Sequence, residues 1–168
     1  MAETYDDLMR RGVSAAQDED YDTAEDLLER ALELRPGNVQ AMNMLGYVFW
    51  KRDDPREAER YYRSSVAVDP NDPFARKGLG LCLADQGLLD EGVGEIKRAI
   101  DLRRNWAEPY HDLGIILARA KRFEESWQLL DVATRLEPKL VDQLGELLGQ
   151  VKSRAEAAAK TAKKTKKK

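Results

Sequence analysis

Residues 39–72 read VQAMNMLGYVFWKRDDPREAERYYRSSVAVDPND. Met42, Leu45, Gly46 and Phe49 recur at i, i+3, i+4 and i+7, the spacing of one helical face. After a break at Asp53-Asp54-Pro55, the pattern resumes with Ala58, Tyr62, Ser65 and Val66. Asp54 is a natural N-cap. Pro55 suits the first helical position, where a backbone N–H is not needed, and Glu57 stands at capping-box spacing. Asp72-Pro73 opens a further helix the same way. The stretch predicts two antiparallel helices, and small residues such as Gly46 and Ala58 let their axes approach closely.

Outward from this stretch the pattern repeats. Gly12, Gly46, Gly80 and Gly114 are 34 residues apart. So are Ala24, Ala58, Gly92 and Ser126; Leu28, Tyr62, Ile96 and Leu130; and Ala31, Ser65, Ala99 and Ala133. A turn series reads Pro36, Pro70, Arg104 and Pro138. Several series at one period, with no insertion, mark stacked copies of one unit, because a lone hairpin cannot bury its apolar face. Four units fill residues 5–140, with a lead of 1–4 before them. Beyond them Leu140, Val141, Leu144, Leu147, Leu148 and Val151 share one helical face. That face suits a helix over 141–156 that covers the open end of the array, or else a partner surface. Past Arg154 the composition falls to Ala, Lys and Thr, so residues 157–168 are expected to be a disordered Lys-rich tail.

The second unit, with Met42, Leu45, Gly46, Phe49, Ala58, Tyr62 and Pro70, resembles the tetratricopeptide repeat family. The fourth, with Tyr110, Leu113, Gly114, Leu117, Leu130, Ala133 and Pro138, does so too. Departures are Arg11 and Ala15 in the first unit, Ser65 in the second, and Arg76 and Arg104 in the third; Arg76 is expected to reach solvent along its apolar stem. The resemblance implies an all-α, right-handed superhelical solenoid of four hairpins (5–38, 39–72, 73–106 and 107–140) plus the C-terminal capping helix. It also implies a concave groove lined by the first helix of each unit.

On that groove face the sequence places Asn43, Met44, Tyr47, Trp50, Phe74, Lys77, Leu81, His111, Ile115 and Arg119 as candidate partner contacts. Large apolar groups there are not required for packing within a hairpin, and aromatic anchors often dominate binding energy. Asn43 offers an amide to a ligand backbone, and Lys77 and Arg119 offer cations to carboxylates. Competing readings are inter-repeat packing for Tyr47 and Trp50, helix-end packing for Phe74 and plain solvation for the two cations. The family's chaperone-binding members clamp a C-terminal carboxylate with Lys, Asn, Asn, Lys and Arg. Here the corresponding places hold Met9, Val13, Met44, Phe74 and Gly78. One unit later they hold Asn43, Tyr47, Gly78, Glu108 and Asp112. Neither set is a clamp, so heat-shock chaperone tails are not expected as partners, and an apolar-anchored segment or amphipathic helix fits better.

Composition narrows the function further. The 168 residues are 42% hydrophobic and 35% charged, with a net charge of -3. That near-neutral total hides asymmetry: residues 1–150 hold 20 basic and 30 acidic residues, residues 151–168 eight basic and one acidic. Lys160, Lys163, Lys164, Lys166, Lys167 and Lys168 are therefore candidates for contact with nucleic acid or an anionic membrane, through the tail alone, or with the acidic first unit of the same or another copy, the latter in a self-assembling scaffold. No aromatic residue interleaves the lysines, so base stacking is not supported. No apolar run is long enough to span a membrane and no secretory signal follows Met1, so a cytoplasmic location is expected. One cysteine, Cys82, and one histidine, His111, stand at places of their units that face differently, and no phosphate loop or metal motif is present. The expectation is a non-enzymatic interaction scaffold or small chaperone-like adaptor without metal or cofactor.

Overall fold

The structure, a computed structural model, describes residues 3–165, and their side chains except those of residues 159 and 161–165. Among the described residues it is all-α. The chain divides into two compact units, residues 1–102 and 103–168. Unit 1 contains α1 (Tyr5–Gln17), α2 (Tyr21–Leu34), α3 (Val39–Lys51), α4 (Pro55–Val68), α5 (Pro73–Asp85) and α6 (Leu89–Leu102). Unit 2 contains α7 (Ala107–Arg119), α8 (Phe123–Leu136) and α9 (Leu140–Thr165).

The starts and stops follow local chemistry. Thr4 Oγ1 accepts from the Asp7 N–H at 3.2 Å, Asn38 Oδ1 from Ala41 at 3.0 Å and Asp54 Oδ1 from Glu57 at 3.1 Å. Asp72 Oδ1 accepts from both Phe74 (2.7 Å) and Ala75 (3.3 Å). These caps satisfy N–H groups that have no partner inside the helix. The Glu57 carboxylate does not reach back to complete a capping box; it meets Arg60 at 2.8 Å. Each first-to-second-helix corner turns through one left-handed residue: Glu19 (φ 62°), Asp53 (61°), Gly87 (84°) and Lys121 (60°). Only one of these is glycine, so the helices on either side impose the corner conformation.

In unit 1 the hairpins are joined by shared cores. Ala16, Ala24, Leu28, Leu45, Val48 and Tyr61 form one cluster, and Ala58, Tyr62, Ala75, Leu79, Cys82 and Leu83 form the next. Phe49 packs against both and stacks on Tyr61 with ring centroids 5.4 Å apart. Each fully buried Leu contributes about 1.5–3 kcal/mol relative to exposure, and most of this burial needs a neighbouring hairpin. In unit 2 Ala107, Leu130 and Ala133 pack with Leu140, Leu144 and Val151 of α9.

Three expectations are corrected here. Arg76 does not snorkel to solvent. Its Nε donates to the Pro70 carbonyl at 2.7 Å and its guanidinium pairs with Glu95 at 2.6 Å, with both side chains mostly covered (14% and 16% exposed). Val141 is 48% exposed and does not share the packed face of Leu140, Leu144, Val151 and Ala155. The packed residues follow a spacing of three to four, and position 141 falls outside that stripe. Finally, α9 runs to Thr165 and not to 156, because Ala, Lys and Glu are strong helix formers even where nothing packs on them. The expected disorder from 157 is thus not the backbone found through 165. Lys160 is exposed on this helix and Lys163 and Lys164 belong to it, while Lys166, Lys167 and Lys168 lie outside the described residues.

Candidate functional site

The first helices of three hairpins form the candidate face of unit 1, with α3 touching both α1 and α5. The 3.6-residue period turns Tyr47 of α3, and Phe74, Lys77 and Leu81 of α5, away from the residues buried inside each hairpin, while Met44 packs against the Leu28–Leu45–Tyr61 core. Tyr47 is 36% and Phe74 48% exposed. Met44, Lys77 and Leu81 are half-buried. The Lys51 ammonium lies 6.0 Å from the Tyr47 ring centroid, within cation–π reach. Two large rings and an aliphatic side chain thus stand on the outer faces of α3 and α5, together with two lysines. Such a surface gains by desolvation and discriminates through a few polar contacts.

Two sequence-chosen residues of this face are already committed inside the protein. The Asn43 amide oxygen accepts from Ser65 Oγ at 2.7 Å, and its Nδ2 donates to Asp72 Oδ2 at 2.7 Å. Asn43 therefore bridges α4 to the N-cap of α5. The Trp50 Nε1–H donates to Asp85 Oδ2 at 2.8 Å, and its ring packs against the Tyr62–Leu79 cluster. Trp50 is thus an inter-repeat strut. Because Ser65 is fully buried, Asn43→Ala should leave its hydroxyl unpaired and destabilise the protein by about 2 kcal/mol in urea unfolding.

In unit 2, His111 Nδ1 lies 3.0 Å from Asp112 Oδ1. Ile115 packs on the core shared with α9, and Arg119 is exposed beside it. Both line a cavity of about 520 Å³ whose other wall comes from α9. The sequence reading took them as open groove residues, because the period of α7 alone does not reveal a helix returning across it. Cys82 is fully buried, and burial, with smaller contributions from Asp85 and Glu59, pushes its thiol up to about 12. It is a packing group at neutral pH and not a thiolate nucleophile. Among the described residues no group of three His, Cys, Asp or Glu side chains is placed to hold a metal ion. None of their helices is long and apolar enough to cross a membrane.

Sequence reasoning missed Ser65, Asp72 and Asp85 as partners of the face, and Leu147, Gln150 and Arg154 as walls of the cavity. Ser65 did carry a signal, as the one hydroxyl at a place otherwise held by alanine in the repeat.

Comparison with known proteins agrees with this architecture. A tetratricopeptide repeat profile matches residues 9–73 and 43–109, together more than half of the chain. The Hsp70-Hsp90 organizing protein 3 of Arabidopsis thaliana is 24% identical over 94 residues, which is 56% of this chain and 17% of that protein. The chain therefore spans about a sixth of the length of that curated relative. The crystal structure of YrrB, described as a tetratricopeptide repeat protein with an unusual peptide-binding site, is 28% identical with a TM-score of 0.66, over 80% of this chain and 69% of that one. The first such domain of Spaghetti (RPAP3), bound to the HSP90 peptide SRMEEVD, shares the fold at 19% identity and a TM-score of 0.66, over 70% of this chain and 94% of that one. With its 34-residue hairpins, its shared cores and the span of the profile match, the chain belongs to the tetratricopeptide repeat family.

Proposed function

We propose that the first-helix face of unit 1 docks a segment of another polypeptide, and that the chain works as a non-enzymatic cytoplasmic scaffold. Proteins of the family mediate protein–protein interaction. The observation that supports this use of the face is the exposure of Tyr47 and Phe74 on helices whose other large apolar residues are buried or half-buried. Both rings are already more than half covered, so closing over them contributes roughly 1 kcal/mol each, and the rest of the ~8 kcal/mol of a micromolar complex has to come from the surrounding apolar and polar contacts. With Asn43 committed to Ser65 and Asp72, recognition is assigned to the exposed rings of Tyr47 and Phe74 and to the half-buried Met44, Leu81 and Lys77.

The ligand is read as an apolar-anchored segment and not a chaperone tail, because Met9, Val13, Met44, Phe74 and Gly78 occupy the places of the carboxylate clamp. The Arabidopsis relative and the Spaghetti complex pull the other way, so the test includes their ligand class. A random peptide display library is selected on the full chain, and winners are titrated by calorimetry beside SRMEEVD. Winners should carry aromatic or aliphatic anchors and lose at least tenfold in affinity on Tyr47→Ala with Phe74→Ala, while the thermal melt is unchanged. SRMEEVD should not saturate below about 1 mM. Winners without acidic residues that are indifferent to the double variant would overturn the docking face, and a micromolar SRMEEVD complex weakened by that variant would overturn the choice of ligand.

A further inference from the structure

The cavity of unit 2 is built differently from the face above. It opens between α7, the start of α8 and α9, and measures about 520 Å³. Its floor is apolar: Ile115 and Ala118 from α7, Phe123 from α8, Leu147 and Val151 from α9. Its polar lining is Arg119, Lys121, Gln150 and Arg154, three cations and a neutral amide with no carboxylate among them. Among the described residues neither Arg119 nor Lys121 pairs with an acid, and the Arg154 guanidinium lies over the Phe123 ring, 5.0 Å from its centroid. Gln150 donates to the Glu146 carboxylate one turn back at 3.0 Å, and Glu146 itself does not line the cavity.

This charge balance departs from the rest of the chain. Elsewhere arginines pair with a carboxylate three or four residues away or on the adjoining helix, as Arg76 does with Glu95, Arg63 with Glu59 and Arg122 with Glu125. The cavity cations are instead left facing a space of a size that accommodates one or two side chains. An apolar floor rimmed by unneutralised cations favours an apolar side chain carrying negative charge beside it. A purely apolar ligand would leave the cations without partners, and a purely acidic one would leave the floor wet.

We infer that this cavity binds an acidic peptide segment, placing one Leu, Ile or Phe side chain on the Ile115–Ala118–Leu147 floor and flanking carboxylates on Arg119, Lys121 and Arg154. Full-length protein is screened on an array of capped octapeptides. In one set a single Leu, Ile or Phe is placed among Asp and Glu at varied spacing; in two matched sets Asn and Gln, or Lys, replace the acids. The best acidic peptide is then titrated by fluorescence anisotropy. The acidic set should be retained over both others, and affinity should fall several-fold when salt is raised from about 50 to about 300 mM, as the screening length shortens. Arg119→Gln with Arg154→Gln should weaken binding at least tenfold. Both positions are exposed, so an unchanged melt separates lost binding from lost folding. Tyr47→Ala with Phe74→Ala should leave this affinity unaltered, which distinguishes the cavity from the unit 1 face. Acidic peptides held no better than neutral ones, an indifferent arginine double variant, or binding lost only with Tyr47 and Phe74 would each overturn the assignment.

Discussion

Gly80→Val should destabilise the protein by about 3 kcal/mol and lower its melting temperature by roughly 10 °C, at the upper end for overpacking in a chain of this size. A Cβ at Gly80 would stand 2.7 Å from the Gly92 carbonyl oxygen and 2.5 Å from Ile96 Cγ1. The relation is reciprocal, since a Cβ at Gly92 would be 2.6 Å from the Gly80 carbonyl oxygen. The obstacle is backbone, which cannot rotate aside as a side chain can, so α5 and α6 must part and open the core around Leu79, Leu83 and Ile96. Gly94, two residues from Gly92 on the same helix, is the control. A Cβ there meets nothing within 4 Å. Gly94→Ala should therefore stabilise by about 0.5–1 kcal/mol through helix propensity. Urea unfolding of both variants reads the result. Equal costs at Gly80 and Gly94 would mean that close approach of the two helices is not what the glycine serves.

Glu95→Ala should cost about 3 kcal/mol, because it strands the Arg76 guanidinium between α5 and α6. Arg76 reaches Glu95 Oε2 at 2.6 Å and the Pro70 carbonyl at 2.7 Å, and Arg98 holds the other carboxylate oxygen at 2.6 Å. At 14% and 16% exposure the pair is largely cut off from water, so one partner cannot be resolvated cheaply when the other is removed. The double variant Arg76→Met with Glu95→Leu should lie within about 1 kcal/mol of the parent, since apolar side chains of similar volume fill the same gap without a stranded charge. A single variant as benign as the double one would show that the pair is open to solvent.

The hairpin fold was legible because its signal is periodic. Glycine or alanine at one place per 34 residues records where two helices touch, and Gly12, Gly46, Gly80 and Gly114 each stand where a Cβ would strike the facing helix. The helical face carrying Tyr47 and Phe74 was legible for the same reason. What periodicity does not carry is the identity of polar partners. Asn43 finds Ser65 and Asp72, 22 and 29 residues away, and Trp50 finds Asp85 at a distance of 35. These pairings depend on which rotamers meet across helices, and nothing in the spacing of one helix encodes them. Arg76 was misread in the same manner, since its partner lies on α6. The length of α9 was missed for a different reason: low complexity in Ala and Lys was taken for disorder, although those residues favour a helix.

The left-handed corners at Glu19, Asp53, Gly87 and Lys121 keep the 34-residue period whatever residue occupies them. An insertion or loss of a whole period therefore adds or removes a complete hairpin and leaves every remaining corner in phase. A single inserted residue would instead swing each following side chain by about 100° around its helix and pull a corner into a helical turn. Natural length variation within residues 5–140 should accordingly come in steps of 34.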